Sequence, residues 1–422
     1  MNDERRPVAV ALLSGGLDST LAAKVILEQG ITVVGINFAG AYCPRPFAGK
    51  SNAEKAAEML GIELVTLPID AEFIAMVKRP KHGRGKNMNP CIDCHTLMIR
   101  KAWAWGQAEP ESRTQNPKPK TQKDEPRMHC LTGASAANTD NRADVSEKTI
   151  CVHQCPSVVS WYDRADFVIT GEVLGQRPMS QNRNALNTVA KDSGVGDRLL
   201  RPLSAKLLDP TAVEVGSGFQ HKDTKTQRGP DSNPSCLSGL VVNSESPRPL
   251  VDRERLLDIE GRQRTRQMVL AEKYEIEDYP TPAGGCLLTE KVYSKRLAEA
   301  FDHGEDSLET IELLSLGRHF RLPSGARLVV GRDEAENDEL LRRKPAGAVV
   351  IDAGDLPGPV GIIVQGSRGR GFEDSSERIL AARICARFSD RRKEPAVTVK
   401  VADMEVTVQP AGEEETARLL IA

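Results

Sequence analysis

Cys91 and Cys94 stand two residues apart in the run Asn-Pro-Cys-Ile-Asp-Cys-His that spans 89–95. Cysteines at that spacing serve as half of a zinc knuckle, as a thioredoxin-like redox pair, or within a catalytic sulfur site, and the spacing alone does not choose among them. A second run, Ser-Gly-Gly-Leu-Asp-Ser at 14–19, has the make-up of a phosphate cradle. Gly15 and Gly16 let backbone amides approach phosphate oxygens, and the helix start that follows adds partial positive charge. Ser14 and Ser19 bring hydroxyl donors. Asp18 repels phosphate unless Mg²⁺ lies between them, and the missing Walker-type lysine argues against γ-phosphoryl transfer in that style. A bare Gly-Gly would read as an ordinary strand-to-helix turn; the whole hexapeptide in first-strand position does not. A looser set, Cys130, Cys151, His153 and Cys155, could be offered to zinc, but its spacings match no standard knuckle.

The elements that must hold these residues follow from apolar patterning. Residues 7–14 form a continuous apolar run ending in Gly-Gly, which suits a strand buried on both faces of a parallel sheet. A helix follows with Leu21, Val25 and Ile26 on one face and Gly30 as its stop. Further strands are predicted at 31–38, 62–69 and 165–173, with helices at 51–61, capped by Ser51 or Asn52, and at 96–105. This alternation predicts a doubly wound parallel α/β sheet, Rossmann-like, whose ligand lies at the carboxyl ends of the strands, where Ser14, Phe38 and Gly171 should be found. Residues 252–276 read as one or two charged amphipathic helices and 293–301 as another. From about 316 short β-like runs dominate, interrupted by a helix near 376–388, which predicts a smaller α+β C-terminal domain.

The chain of 422 residues is long for one globular unit. Its division is expected as a catalytic domain at 1–215, a linker-like insertion at 216–249, a helical segment at 250–315 and the α+β domain at 316–422. Residues 108–149 and 216–249 are polar, aperiodic and rich in turn formers, and are expected to be disordered insertions. A net charge of -2 argues against a chain that coats nucleic acid over its whole surface. No apolar run approaches the ~20 residues of a membrane span. The N-terminus lacks a signal-peptide cleavage pattern, so a cytoplasmic protein is expected, in which nine cysteines are unlikely to be structural disulfides.

The hexapeptide at 14–19 resembles the pyrophosphate loop of the PP-loop ATP pyrophosphatase superfamily, which includes tRNA thiouridine synthases, GMP synthetase and asparagine synthetase. The resemblance implies cleavage of ATP between its α- and β-phosphates and conversion of the substrate to an adenylate. By position, Ser14, Gly15, Gly16, Asp18 and Ser19 would grip pyrophosphate and Mg²⁺, Asn37 and Phe38 would meet the adenine, and Gly171 would approach the nucleotide. The run at 89–95 resembles the Asn-Pro-Cys-x-x-Cys-Asn stretch of tRNA 2-thiouridylases, with His95 where those have Asn. Together with 170–181, 199–208 and 279–289, it places the chain near the tRNA thiouridine synthases, with Cys286 as a third sulfur residue. The C-terminal part resembles an RNA-binding module of ribosome-associated factors.

That family implies an ATP-dependent sulfurtransferase: a uridine carbonyl oxygen of tRNA is adenylated, and sulfur displaces AMP. Cys91, Cys94 and Cys286 would either exchange a persulfide through a disulfide or hold a [4Fe-4S] cluster by three irons, the sulfur donor being a persulfide carrier or sulfide. A closed zinc site would need a fourth ligand, for which His95 is available. Cys43, Cys236 and Cys385 read as bystanders. Arg177, Arg183, Arg201 and Lys206 near the active-site face, and Arg318, Arg321, Arg368 and Arg370 in the C-terminal part, are candidates to meet RNA phosphates. Two alternatives stay open: an adenylating ligase or sulfur-transfer enzyme acting on a small molecule, and an RNA-binding ribosome-associated factor with a vestigial nucleotide site.

Overall fold

A computed structural model describes residues 5–40, 42–43, 49–109, 164–216, 248–280, 286–352, 358–364 and 375–422. Most of the two expected insertions, the Cys130–Cys155 set, Cys236, the Gly-Gly pair before Cys286, Arg368 and Arg370 lie outside the described residues.

Five parallel strands form the first sheet in the order β3-β2-β1-β4-β5. They are β1 (Val8–Leu12), β2 (Thr32–Ala39), β3 (Glu63–Pro68), β4 (Phe167–Ile169) and β5 (Leu199–Leu200). The apolar run at the start of the chain is β1, the central strand, with Val8 opposite Thr32 and Ala9 opposite both Val33 and Phe167. Alternate side chains feed two cores. Val10, Ile36 and Phe38 face one layer, and Ala9, Ala11 and Val33 face the other. The helices are α1 (Leu17–Leu27), α2 (Asn52–Leu60), α3 (Ala71–Lys78), α4 (Cys91–Gln107) and α5 (Arg183–Asp192). Ser51 caps α2 as its sequence implies, accepting from the Glu54 amide at 3.2 Å while the Glu54 carboxylate accepts from the Ser51 amide at 2.7 Å.

The chain from 248 onward packs back on this sheet. A short helix, α6 (Ala212–Val215), precedes it. The stretch 256–261, expected to be helical, is extended instead: the amides of Leu257 and Ile259 donate to the carbonyls of Pro202 and Leu203. Burial of Leu256 and Ile259 and the left-handed Gly261 (φ 85°) favour that path. Beyond a single 3-10 turn at Arg253–Arg255, the helix there is α7 (Thr265–Lys273), which lies on α1 with Ala271 and Ile276 against Leu17 and Leu21.

Helix α8 (Lys291–Asp302) has two partners. Tyr293, Leu297 and Ala300 enter the core beneath α3 and α4, which also holds Tyr42, Phe73 and, from α9 (Leu308–Leu313), Ile311. Arg296 and Glu299 turn to the C-terminal sheet. Arg296 donates to the carbonyls of Leu314 and Gly317, both at 3.0 Å. Glu299 pairs with Arg321 at 2.6 Å and with Arg327, whose guanidinium also reaches Glu305 at 2.8 Å.

The second sheet is antiparallel, ordered β11-β10-β8-β9-β7-β6. Its strands are β6 (Arg318–Arg321), β7 (Arg327–Val330), β8 (Val349–Asp352), β9 (Gly361–Val364), β10 (Val397–Val401) and β11 (Met404–Val408). The expected helix near 376–388 is α11 (Ser375–Arg387), packed on this sheet through Ala381, Ile384 and Cys385. Two further helices, α10 (Glu334–Arg343) and α12 (Glu413–Leu419), escaped the sequence reading because their charged surfaces leave few apolar residues to show a period. The architecture is a doubly wound parallel α/β sheet followed by a smaller α+β domain. No helix among the described residues is long and apolar enough to cross a membrane.

Candidate functional site

Strand order reverses on either side of β1, so a crevice opens at the carboxyl ends of β1 and β4. Residues 14–19 sit there. The Ser14 and Ser19 hydroxyls are 3.2 Å apart, Ser19 donates to the Gly16 carbonyl at 2.8 Å, and the Gly16 amide donates to Ser14 Oγ at 3.3 Å. Gly15 has a left-handed backbone (φ 75°), and a Cβ on it would stand 2.1 Å from the carbonyl carbon of Asn52, in the first turn of α2. Across the crevice, a Cβ on Gly171 would stand 2.5 Å from the Ser19 amide nitrogen. Both glycines are required by close backbone packing. The result is a tight loop that brings backbone amides and two hydroxyls together at the end of β1.

Asp18 points into this region. Its Oδ2 accepts from Gln176 Nε2 at 2.9 Å and from Arg264 Nη2 at 3.3 Å, while Oδ1 is buried without a partner. A carboxylate with an idle buried oxygen beside an amide-lined loop fits a hard divalent cation that accompanies a polyphosphate. Of the two residues expected at adenine, Asn37 is partly exposed, but Phe38 is buried and its ring lies edge-on to Phe73, 5.5 Å between centroids. Phe38 therefore belongs to the core, and only its backbone is available at the strand end.

Helix α4 begins at Cys91, earlier than its apolar spacing suggests, so Cys91 and Cys94 both lie in its first turn. Cys91 Sγ donates to Asn89 Oδ1 at 3.1 Å. The loop after Cys286 is pinned beside them: the Met88 amide donates to the Leu288 carbonyl at 3.2 Å, and Asn87 Nδ2 to the Thr289 carbonyl at 2.7 Å. The same loop meets the turn after β2, where the Leu287 amide donates to the Tyr42 carbonyl at 3.4 Å. That turn, closed by reciprocal bonds between Gly40 and Cys43, carries a fourth thiol. Cys43 is thus no bystander. Its thiol interacts with that of Cys286, which holds Cys43 below the usual thiol range and, with burial, pushes Cys286 up. Burial also raises Cys91 and Cys94, and neighbouring thiols add to it, whereas the Arg177 guanidinium opposes the rise at Cys91.

His95, next on the helix, is engaged elsewhere. Its Nδ1 lies 2.6 Å from Glu172 Oε1, and Glu172 Oε2 accepts from Arg201 Nε at 2.8 Å and Thr170 Oγ1 at 3.1 Å. Burial disfavours the Glu172 carboxylate, but Arg201 and His95 more than offset it and hold the group at about 2. The expectation that His95 completes a zinc site gives way to this pairing. Among the described residues, no three or more His, Cys, Asp or Glu side chains are arranged to hold a metal ion.

The basic residues divide. Arg177 is exposed beside the thiols. Arg201 is buried on Glu172, so it is not a surface phosphate contact. Arg183 donates to the Leu207 carbonyl at 2.8 Å, and Lys206 to the Glu254 carbonyl at 2.7 Å. Arg321 is enclosed by Glu299 and Glu305, and Arg318 stacks over Phe388 at 4.6 Å. Four site residues went unread in the sequence: Cys43, Glu172, Gln176 and Arg264. Glu172 carried a signal, since it directly follows the strand-end Gly171. The others carried none.

Residues 6–104 match the family described as the tRNA methyl transferase HUP domain, and residues 317–419 match the NFACT protein RNA binding domain. The chain is 34% identical over 102 residues to the tRNA-specific 2-thiouridylase MnmA of Campylobacter fetus subsp. fetus, covering 22% of this chain and 30% of that protein. It is 36% identical over 96 residues to the same-named protein of Helicobacter acinonychis, covering 21% and 27%. The chain therefore spans under a third of the length of these relatives. A solved structure described as a predicted subunit of tRNA methyltransferase from Methanocaldococcus jannaschii is 12% identical, with 47% of this chain and 68% of that chain covered and a TM-score of 0.26.

Proposed function

From a chain that carries a PP-loop HUP domain at its N-terminus and an NFACT-type RNA-binding domain at its C-terminus, we propose a cytoplasmic ATP-dependent sulfurtransferase that thiolates a uridine of tRNA. The observation that carries this reading is the convergence of two sites on one edge of one sheet. The Ser14–Ser19 loop lies at the end of β1, and four thiols gather from the turn after β2, the start of α4 and the loop at Cys286. A ligase that uses ammonia has no need of those thiols.

In the proposed reaction, a uridine carbonyl oxygen bonds to the α-phosphorus of ATP, and the bond to pyrophosphate breaks. The departing pyrophosphate is received by the amides of Gly15 and Gly16 and the hydroxyls of Ser14 and Ser19. Asp18 Oδ1 would hold the Mg²⁺ that neutralises phosphate charge. The substrate loses its N3 proton to solvent and becomes an adenylate, a far better leaving group than oxide. The terminal sulfur of a cysteine persulfide, supplied by a persulfide donor, then attacks the carbon, and AMP leaves. A second cysteine thiolate attacks the cysteine sulfur of that adduct, which releases the thiouridine and leaves a disulfide for a dithiol reductant to clear. Cys43 and Cys286 suit the exchange as a pair, since one sulfur is held toward thiolate while the other keeps a proton. RNA contact is assigned to Arg177 and the C-terminal domain.

The test is nucleoside analysis of a uridine-containing tRNA incubated with the full chain, ATP, Mg²⁺, a persulfide donor and a dithiol. Thiouridine and AMP in equal amounts are expected, and both should be lost in Cys286→Ala. AMP release driven by a small acceptor without RNA would move the activity to the small-molecule class. Stoichiometric iron and sulfide in anaerobically purified protein, lost in Cys91→Ala, would replace the persulfide route by an iron–sulfur one.

A further inference from the structure

The Ser14–Ser19 loop contains no cation, although the pyrophosphate it is read as holding carries several negative charges. It also contributes Asp18, which adds one more. The fold brings two polar side chains to that carboxylate from outside the loop. Gln176 and Arg264 arrive side by side, because the segments that lead to them are bound to one another. The Gly261 amide donates to the Leu174 carbonyl at 2.8 Å, and Leu174 bridges Glu260 in parallel. Gly175 is left-handed (φ 76°), and a Cβ there would meet the Gly261 nitrogen at 3.4 Å, so the two segments touch without intervening side chains. Behind them α7 lies against α1, the helix that starts at the loop.

Neither side chain is saturated by what it touches. Arg264 Nη2 reaches Asp18 Oδ2 at 3.3 Å, long for a charged pair, and its Nε is buried with no partner. Gln176 gives its amide hydrogen to Asp18 at 2.9 Å, but its Oε1 is likewise buried and unpartnered. With Asp18 Oδ1, three buried polar atoms stand idle around one carboxylate. Of the three, only Arg264 Nε is a donor; a buried guanidinium N–H without a partner at the rim of a phosphate cradle is best explained by an anion that takes it, and the two acceptor oxygens by a cation.

We propose that Arg264 forms the second half of the phosphate site, its guanidinium being the positive charge that meets the pyrophosphate portion of a nucleoside triphosphate opposite the Ser14–Ser19 loop, while Gln176 orients Asp18. This rests on the ATP-binding part of the function proposed above and not on its RNA substrate. When the bond between the α-phosphorus and the bridging oxygen breaks, the electron pair goes to pyrophosphate, and the guanidinium faces the charge that develops there. Arg264 also reaches Asp18 at 3.3 Å, so the loop's own carboxylate does not stand uncompensated.

Equilibrium binding of ATP, inorganic pyrophosphate and AMP to the full chain, for the native protein, Arg264→Gln and Arg264→Lys, tests this. Arg264→Gln should weaken ATP and pyrophosphate by about 10- to 100-fold, a range set by the loss of one charged hydrogen-bonding partner. AMP should change by less than about 3-fold, because it lacks the group Arg264 is assigned to. Arg264→Lys should recover part of the loss, since the charge returns without the planar fork. Pyrophosphate affinity unchanged in Arg264→Gln overturns the assignment. So does an equal loss for AMP and pyrophosphate with a lowered melting temperature in both variants, which would make Arg264 a scaffold residue. If the native chain binds neither ATP nor pyrophosphate, the nucleotide reading falls and this inference with it. A native chain that binds both but does not thiolate tRNA removes only the proposed RNA substrate.

Discussion

His95 Nδ1 lies 2.6 Å from Glu172 Oε1, which ties the helix bearing Cys91 and Cys94 to the residue after Gly171. The contact fixes the register between the thiol cluster and the end of β4, and Arg201 anchors its far side at 2.8 Å. Glu172 is held at about 2, below its ordinary 4.5, so its contribution to stability is fully present above about 4.5 and is lost as pH falls toward 2. Glu172→Gln leaves the Arg201 charge buried and should destabilise the fold at neutral pH by about 3–5 kcal/mol. Urea unfolding midpoints should therefore decline between pH 4.5 and 2 in the native protein and lose that component in the variant. Parallel curves would assign the acid sensitivity to other groups.

Cys43 should be the fastest of the clustered thiols to react with iodoacetamide near neutral pH, because its interaction with Cys286 favours the thiolate. Cys286→Ala removes that support and should slow Cys43 alkylation. Peptide mapping after timed alkylation reads both. Equal labelling of Cys43 with and without Cys286 would dissolve the pair.

Gly171→Ala places a methyl 2.5 Å from the Ser19 nitrogen, so either the loop or the end of β4 must move. A loss of roughly 2 kcal/mol or more in stability, together with weakened ATP binding, is expected from strain against backbone. Gly30→Ala is the control: a Cβ there meets nothing within 4 Å, but the left-handed backbone (φ 78°) still carries strain, so only stability should fall. Retention of native ATP affinity in Gly171→Ala would separate β4 from the nucleotide site.

Arg327 is fully buried between Glu299 and Glu305. Arg327→Met leaves Glu299 and Glu305 to share the Arg321 guanidinium and should destabilise the protein by about 3 kcal/mol. Pyrophosphate affinity should stay at the native level while the variant is folded, since the network lies outside the crevice.

The parallel sheet was readable in the sequence because its strands are buried on both faces and appear as unbroken apolar runs such as 7–14. The Ser14–Ser19 loop was readable for a local reason too, because its glycines, hydroxyls and carboxylate are consecutive. Residues 256–261 misled, since leucines among charges imitate a helical face, and only pairing with Pro202 and Leu203 draws them straight. Cys43 and Arg264 were opaque for a different reason. Their significance lies in a partner far along the chain, 246 residues away for Arg264 and Asp18, and no spacing rule spans such a gap.

Helix α8 presses Tyr293 and Leu297 into the core that holds Tyr42 and offers Glu299 to Arg321 and Arg327 of the second sheet. One rigid rod thus belongs to both domains at once. Unlike a flexible tether, such a rod acts as a ruler. In the proposed RNA reaction, a tRNA held by the C-terminal domain would be presented to the thiols at a set reach, and the nucleotide that is modified would be chosen by distance along the RNA as much as by its identity.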